Sequence, residues 1–490
     1  SGGGVQRGAC ETYGRKGVMA EKILLERNIK EACGIFGIIS RDSSELARKV
    51  YFGLFALQHR GQESAGIAVS YQKDKAVYYK NMGLVNDVFK EAELELLPPT
   101  TVAVGHVRYS TTGSSNVVNA QPVVFYGKKG RMAVAHNGNV VNANQIKAQM
   151  LDKGHIFQSS IDSEVIAARI NYHIKDDLVG GIVAACEEFL GAFSLLVMAE
   201  GKLVAVRDRH GLKPLIIGKT PEGEIVAASE SCALDAIGAE IVRDVKPGEV
   251  LVIDENLEMQ SRFLKNIEPK FCIFEYVYIS RSDSVLNGVS VYEARYKCGR
   301  MLAELFKIDA DLVAGVPDSA LVCAKGYSDV SGIPMVDAIS KNRYVGRTFI
   351  QPSQSVRENS VSLKLNAFRS NIEGKRIILI DDSIVRGTTS KKIISLLRKN
   401  GAKEIHMLVG SPIVGHPCYF GVDMQTREEL VGGKITKDDI CKKIGADSLN
   451  YIPLECLKTA CGGGGFCAAC FDGNYPDSVT DDETGKFIFE

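Results

Sequence analysis

Arg376-Ile377-Ile378-Leu379-Ile380-Asp381-Asp382-Ser383-Ile384-Val385-Arg386-Gly387-Thr388-Thr389 runs from an apolar segment through two acids and a glycine-containing loop into a helical pattern. An unbroken apolar run bounded in this way reads as a strand buried on both faces, the habit of a parallel sheet. Asp381 and Asp382 fall at its carboxyl end, where open α/β sheets bind ligands. There they can hold ribose hydroxyls or Mg²⁺ and answer positive charge developing on a sugar. A loop entering a helix N-terminus presents unpaired N–H groups and a positive dipole end, both suited to phosphate. Thr388 and Thr389 add hydroxyls and are placed to cap that helix. The plain alternative is a capped strand–helix turn with two solvated acids. No Gly-x-x-x-x-Gly-Lys-Ser/Thr occurs, so a Walker-type loop is excluded.

Outward from this stretch, strand-like runs (Leu312–Val316, Pro334–Val336, Arg376–Ile380, Ile405–Val409) alternate with helical patterns (Val291–Phe306, Ser319–Ser328, Thr389–Lys399). That is the βαβ rhythm of a parallel sheet. Val316-Pro317-Asp318-Ser319 ends one strand and can bring Ser319 to the same site. Lys341-Asn342-Arg343-Tyr344-Val345-Gly346-Arg347-Thr348-Phe349-Ile350 gathers cations around a glycine. It reads as a charged surface loop, or as a lid that clamps pyrophosphate and excludes water. Before residue 260 the rhythm differs. Short apolar strands (Gly34–Ile39, Gly66–Ser70, Val102–Val107, Met132–Asn137, Phe193–Met198, Leu203–Arg207, Ile225–Ser229, Val250–Ile253) surround helical patterns at Ser44–His59, Asp162–Ile174 and Leu178–Phe189. This predicts a layered α+β half before an α/β half.

At 490 residues the chain is too long for one core. Its 59 Lys and Arg balance 59 Asp and Glu, which argues against nucleic acid or membrane surfaces as partners. Residues 1–32 read as a tag (Ser1-Gly2-Gly3-Gly4) plus a propeptide. Glu21–Lys30 is charged and helical and lacks the apolar centre of a secretory signal. Thirteen cysteines without such a signal point to a reducing, cytoplasmic setting, with organelle targeting left open. Cys186, Cys232, Cys298 and Cys323 read as core, and Cys10 as inert.

Cys33-Gly34-Ile35-Phe36-Gly37-Ile38, approached by the small Ala32, places a thiol at the head of alternating apolar residues and reads as a nucleophile on an edge strand. Cleavage of Ala32–Cys33 would leave Cys33 with an α-amine titrating near pH ~8, a base for its own thiol. The alternative is a small core residue. Cys467-Ala468-Ala469-Cys470 is a chelating pair by spacing, open to a zinc half-site or a redox pair.

Taken together, the motifs resemble the glutamine phosphoribosylpyrophosphate amidotransferases. They are Glu31-Ala32-Cys33-Gly34-Ile35-Phe36-Gly37, Gln58-His59-Arg60-Gly61-Gln62-Glu63-Ser64-Ala65-Gly66, Gly105-His106-Val107-Arg108-Tyr109-Ser110-Thr111, Ala135-His136-Asn137-Gly138, Asp162-Ser163-Glu164 and the two phosphoribosyl stretches. The resemblance spans about Glu31 to Pro476. It implies an N-terminal-nucleophile (αββα) glutaminase, 33–262, followed by a type I phosphoribosyltransferase domain, 263–450, and a cysteine-containing segment, 451–490. It implies Cys33 as nucleophile, with Asn137 and Gly138 as oxyanion donors. Arg108 would meet the glutamine α-carboxylate and Asp162 its α-ammonium, with Arg60, Tyr109 and Thr111 lining the pocket. Ser319, Asp381 and Asp382 match the magnesium positions. Lys341, Arg343, Arg347, Asp381, Asp382, Ser383, Val385, Arg386, Gly387, Thr388 and Thr389 match the phosphoribosyl-pyrophosphate set. The implied reaction is attack on ribose C1 by internally passed ammonia, with inhibition by purine nucleotides and a homotetramer.

The run Phe471-Asp472-Gly473-Asn474-Tyr475-Pro476 resembles the iron–sulfur branch of that family. By that resemblance Cys272, Cys418, Cys467 and Cys470 hold a [4Fe–4S] cluster. Cys461, and more weakly Cys441 and Cys456, are rival ligands, and zinc is the rival metal. Gly462-Gly463-Gly464-Gly465 departs from the branch's pattern. Two other readings compete: a different glutamine amidotransferase, against which the Asp381–Thr389 run speaks, and a non-catalytic regulator that binds phosphoribosyl pyrophosphate.

Overall fold

The computed structural model describes residues 33–71, 75–109, 115–127, 130–341, 365–424 and 426–478. The expectations for residues 1–32, Thr111, Arg343, Arg347 and lid residues 342–350 lie outside the described residues.

The amino-terminal half stacks two antiparallel sheets, of seven and six strands. Gly34–Ser44 is not the expected edge strand: it lies inside the first sheet, hydrogen-bonded on both sides, between Thr100–Arg108 and Ile225–Ala228. Gly130–Val140 lies inside the second, paired with Gly191–Ala199. Alternate residues of one strand point to opposite faces. Ile35 therefore joins Val104, Ala135 and Leu196 in the core between the sheets. Phe36 points the other way, onto Val50 and Leu54 of the helix Leu46–Ala56. Helices Asp162–His173 and Leu178–Glu188 cover the outer face of the second sheet through Ile166 and Ile182. The layers are thus helix, sheet, sheet, helix. Because both faces of Gly34–Ile39 are covered, that strand is apolar throughout rather than alternating.

The carboxy-terminal half holds a parallel sheet in the order Leu312–Gly315, Arg376–Asp381, Glu404–Val409, Ser448–Tyr451. Three further expectations need correction. Pro334–Val336 is not a strand: it makes one isolated bridge, Met335 to Val313. Proline has no N–H for a ladder. The first helix starts at Leu46 rather than Ser44, which ends the preceding strand. Neither Thr388 nor Thr389 caps its helix: the cap position is Gly387, at φ +73°, with no side-chain bond, and both threonines lie in the first turn.

The tail is tied back onto both halves. Phe466–Cys467 pairs in parallel with Phe271–Cys272. The N–H groups of Gly415 and His416 both donate to the Cys470 carbonyl, at 3.0 and 3.1 Å. Gly462, Gly463 and Gly464 all have positive φ (94°, 71° and 103°), so the four-glycine departure is a left-handed turn that other residues resist.

His210 Nε2 meets Asp477 at 3.1 Å and its Nδ1 meets the Glu268 carbonyl at 2.8 Å. Burial pushes His210 down, but these bonds hold it above its ordinary 6.5. Burial pushes Asp477 up, but His210 and the Gly191 N–H hold it below its ordinary 3.8. The His210 contribution is complete below pH 6.5 and is lost as pH rises through its raised value. The Asp477 contribution is complete above pH 3.8 and is lost as pH falls through its lowered value. The clamp is therefore strongest between these limits. A charge-assisted bond of this kind contributes on the order of 1–3 kcal/mol. The gap in melting temperature between parent and His210→Gln should be widest inside the window and narrow above it. A gap independent of pH would refute the assignment.

Candidate functional site

Cys33 enters the central strand of the first sheet, and its Sγ donates to the Tyr109 carbonyl at 3.4 Å. Burial raises the thiol, while the Tyr109 contact and the Arg108 cation pull it back down; Asp162 and Glu63 also act on it. The net shift is upward, so attack by this sulfur requires a proton acceptor. Arg108 is buried and its Nη1 donates to Glu63 Oε1 at 2.6 Å. Asp162 begins its helix, accepts from the Val140 N–H at 3.2 Å and stands 3.6 Å from His136 Nδ1. Burial would raise this carboxyl, but His136 and the backbone donors hold it below the usual carboxylate range.

On the facing sheet, Asn137 is fully buried, and neither Oδ1 nor Nδ2 has a partner. An unsatisfied buried polar group costs about 1–3 kcal/mol, so such an amide calls for a ligand. Gly138 follows at φ +143°, and a Cβ there would lie 2.0 Å from the Ala192 carbonyl oxygen. Both residues sit inside the strand Gly130–Val140, which removes the hairpin-turn reading of Asn-Gly.

Arg60 differs from expectation. It lies fully buried behind Cys33, its Nε donating to the Cys33 carbonyl at 3.0 Å. Its Nη1 meets Glu230 at 2.5 Å, and both Nη atoms meet Glu275 at 2.9 Å. It holds the backbone of the thiol residue and ties the two halves together.

A segment of the carboxy-terminal half, residues 418–424, covers this site, and nothing in the motifs announced it. Tyr109 Oη donates to Asp423 Oδ2 at 3.1 Å, and Asn139 Nδ2 donates to the Tyr419 carbonyl at 2.8 Å. Gly421, at φ +93°, is pressed on Gly138 so closely that a Cβ would stand 3.0 Å from its carbonyl carbon.

The second site is an open pocket of about 470 Å³, bordered by Ser319, Lys341 and every residue from Asp381 to Ser390. Burial raises Asp381 well above the carboxylate range, and the neighbouring Asp382 adds to it. Asp382 is also raised by burial, against bonds from Ser319 and Ser383. Ser319 Oγ donates to Asp382 Oδ2, Ser383 Oγ donates to Asp382 Oδ1 at 2.8 Å, and the Asp382 N–H donates to Asp381 Oδ1 at 3.0 Å. Two buried acids pushed toward neutrality are a site that a divalent cation would relieve, and Mg²⁺ binds through one or two carboxylates plus phosphates. Lys341 Nζ reaches Asp318 at 2.5 Å on the rim. His59 and Gln62, from the amino-terminal half, border the same pocket. Their signal was present in the Gln58–Gly66 motif, but its reach across the halves was not.

Cys272, Cys418, Cys467 and Cys470 border one small, partly open cavity of about 20 Å³. Burial pushes Cys272 up to about 12 and raises Cys467 and Cys470 as well, so metal binding must displace their protons. The rival Cys461 borders a different cavity, with Cys298 and Cys323. Cys441 donates to the Ala446 carbonyl at 3.3 Å, and neither it nor Cys456 borders the four-cysteine cavity. Among the described residues, no three His, Cys, Asp or Glu side chains gather closely enough to hold a single metal ion. No described helix is long and apolar enough to cross a membrane.

Residues 106–236 match the glutamine amidotransferase domain family, and residues 293–410 match the phosphoribosyl transferase domain family. An amidophosphoribosyltransferase of Methanocaldococcus jannaschii is 47% identical, covering 91% of this chain and 98% of its own length. That of Bacillus subtilis is 43% identical, covering 93% and 96%. A solved structure of "the allosteric regulatory enzyme of purine biosynthesis" superposes with TM-score 0.88 at 43% identity, covering 94% of this chain and 99% of its own. The B. subtilis glutamine phosphoribosylpyrophosphate amidotransferase, solved with ADP and GMP, gives 0.87 at 42% identity, covering 94% and 100%.

Proposed function

The chain belongs to the amidophosphoribosyltransferase family, and from that premise we propose how its residues divide the reaction between two sites. The reaction is the first step of purine biosynthesis and moves the amide nitrogen of glutamine onto phosphoribosyl pyrophosphate.

Cys33 is the nucleophile. Its thiol proton passes to its own α-amine once Ala32–Cys33 is cleaved, and sulfur attacks the side-chain amide. Asn137 Nδ2 and the Gly138 N–H take the oxyanion, Arg108 the α-carboxylate and Asp162 the α-ammonium. Tyr109 and Thr111 line the pocket. Ammonia leaves, and water releases glutamate from the thioester. The observation that carries this half is the buried, unpartnered Asn137 amide beside a glycine whose conformation other residues resist. Preorganised donors of that kind are worth about 10²–10³-fold in rate.

At the second site the uncapped helix N-terminus at Gly387–Thr389 holds the 5′-phosphate, and Asp381 and Asp382 face the ribose. Ser319, Asp381 and Asp382 would hold Mg²⁺, which neutralises the departing pyrophosphate. Lys341, Arg343 and Arg347 clamp that group, and ammonia inverts C1. The boundaries 33–262, 263–450 and 451–490 follow this division of labour. Purine nucleotides as inhibitors, a homotetramer and a cytoplasmic setting complete the reading. The ADP and GMP in the B. subtilis relative support the inhibitors.

Cys272, Cys418, Cys467 and Cys470 hold a [4Fe–4S] cluster. The cavity shared by these four cysteines supports it, as does the placing of Cys461 at a different cavity. Anaerobically purified protein should carry about four irons per chain with a broad visible absorption band. Stoichiometric zinc would overturn the cluster.

A further inference from the structure

Lys213 is buried to 1% exposure, and its Nζ has no hydrogen-bond partner. Its backbone is fixed: its carbonyl accepts from Arg207 Nε at 2.8 Å and Ser194 Oγ at 3.4 Å. The preceding residue, Leu212, accepts from the Cys272 N–H at 3.2 Å. The side chain borders the same cavity as Cys272, Cys418, Cys467 and Cys470. The buried carboxylate that feels it, Glu275, is already engaged by Arg60 and Ser280. A buried ammonium with no paired anion is strongly unfavourable, and proteins keep one where an anion arrives.

We propose that Lys213 is the built-in counter-cation of an anionic metal–thiolate group in this cavity. The inference rests on the cluster reading. Four thiolates outweigh the charge of the iron–sulfide core they hold, so the loaded site is a buried anion. One fixed cation beside it lowers the electrostatic penalty of burial and favours the more negative, reduced form. The protein supplies this lever through charge near the sulfurs rather than through ligand identity.

The test uses full-length, anaerobically purified parent, Lys213→Met and Lys213→Arg. Lys213→Met should have a more negative cluster midpoint potential and should lose iron to a chelator several-fold faster. Lys213→Arg should stay near the parent in both. After iron is stripped, Lys213→Met should resist urea at least as well as the stripped parent, because an unpaired charge has been removed. An unchanged potential and iron-loss rate in Lys213→Met would overturn the inference with the cluster intact. Stripped Lys213→Met that is less stable than the stripped parent would overturn it in favour of a packing role. Zinc in the parent would overturn the cluster reading itself, and metal analysis of the parent alone separates that failure from the others.

Discussion

Replacing Cys33 with alanine should abolish glutamine-dependent phosphoribosylamine formation, by about 10⁴-fold or more, while ammonia-dependent formation persists. The expectation follows from the separation of the two sites. Cys33 is held by Tyr109 and Arg60, whereas the pocket around Asp382 is bordered by other residues. The substitution removes a sulfur from a site that already excludes solvent and leaves the Arg60 bond intact, because that bond goes to the Cys33 carbonyl. The folded frame should survive. Parallel assays with glutamine and with ammonium chloride, both following pyrophosphate release, decide the matter. Equal loss with both nitrogen donors would show that the thiol site and the phosphoribosyl site are not separable as assigned. The same assay bears on the base. The thiol is raised by burial, so a chain whose Cys33 nitrogen is still an amide should behave like the alanine variant toward glutamine.

What the sequence made legible were features written in contiguous residues. The strand–acid–glycine–threonine run at Arg376–Thr389 announced a parallel strand feeding a phosphate-binding turn, and the strand Arg376–Asp381 and helix Thr388–Lys399 are there. The apolar run after Cys33 announced a strand, but at a sheet edge; pairing on both sides with Thr100–Arg108 and Ile225–Ala228, far away in sequence, puts it in the middle. Features that depend on long-range contact were not legible. Nothing in Asn137-Gly138 distinguishes a hairpin from a mid-strand pair. That choice was made by pairing with Gly191–Ala199 and by the lack of room for a Cβ against Ala192. Arg60 looked like a substrate contact because its motif is charged and glycine-flanked. Its partners, Glu230 and Glu275, lie 170 and 215 residues away, and only folding makes it a buried tie. The cover formed by Tyr419, Gly421 and Asp423 has no signature, since a carbonyl, a glycine and one acid acquire meaning only opposite Asn139, Gly138 and Tyr109.

Asp382→Asn should depress glutamine-dependent and ammonia-dependent formation alike, by about 10²–10³-fold, the scale for losing one electrostatic contact at a reacting centre. Its carboxylate accepts from Ser319 and Ser383, so both oxygens are oriented into the pocket, and an amide in the same place presents one acceptor and no charge. Burial and the adjacent acid already push the pair toward protonation, most strongly at Asp381. A carboxyl whose folded value is raised stabilises the fold below its unfolded value, and that stability is lost as pH rises through the raised value. At neutral pH the pair is therefore a cost to the empty fold, and Asp382→Asn should leave the melting temperature of the free protein unchanged or higher. Activity and stability then move in opposite directions, which a variant that merely damaged folding would not do. The magnesium concentration for half-maximal rate should rise in the variant, because one of two carboxylates is gone. Ammonia-dependent turnover at the parent's rate would remove Asp382 from the phosphoribosyl site.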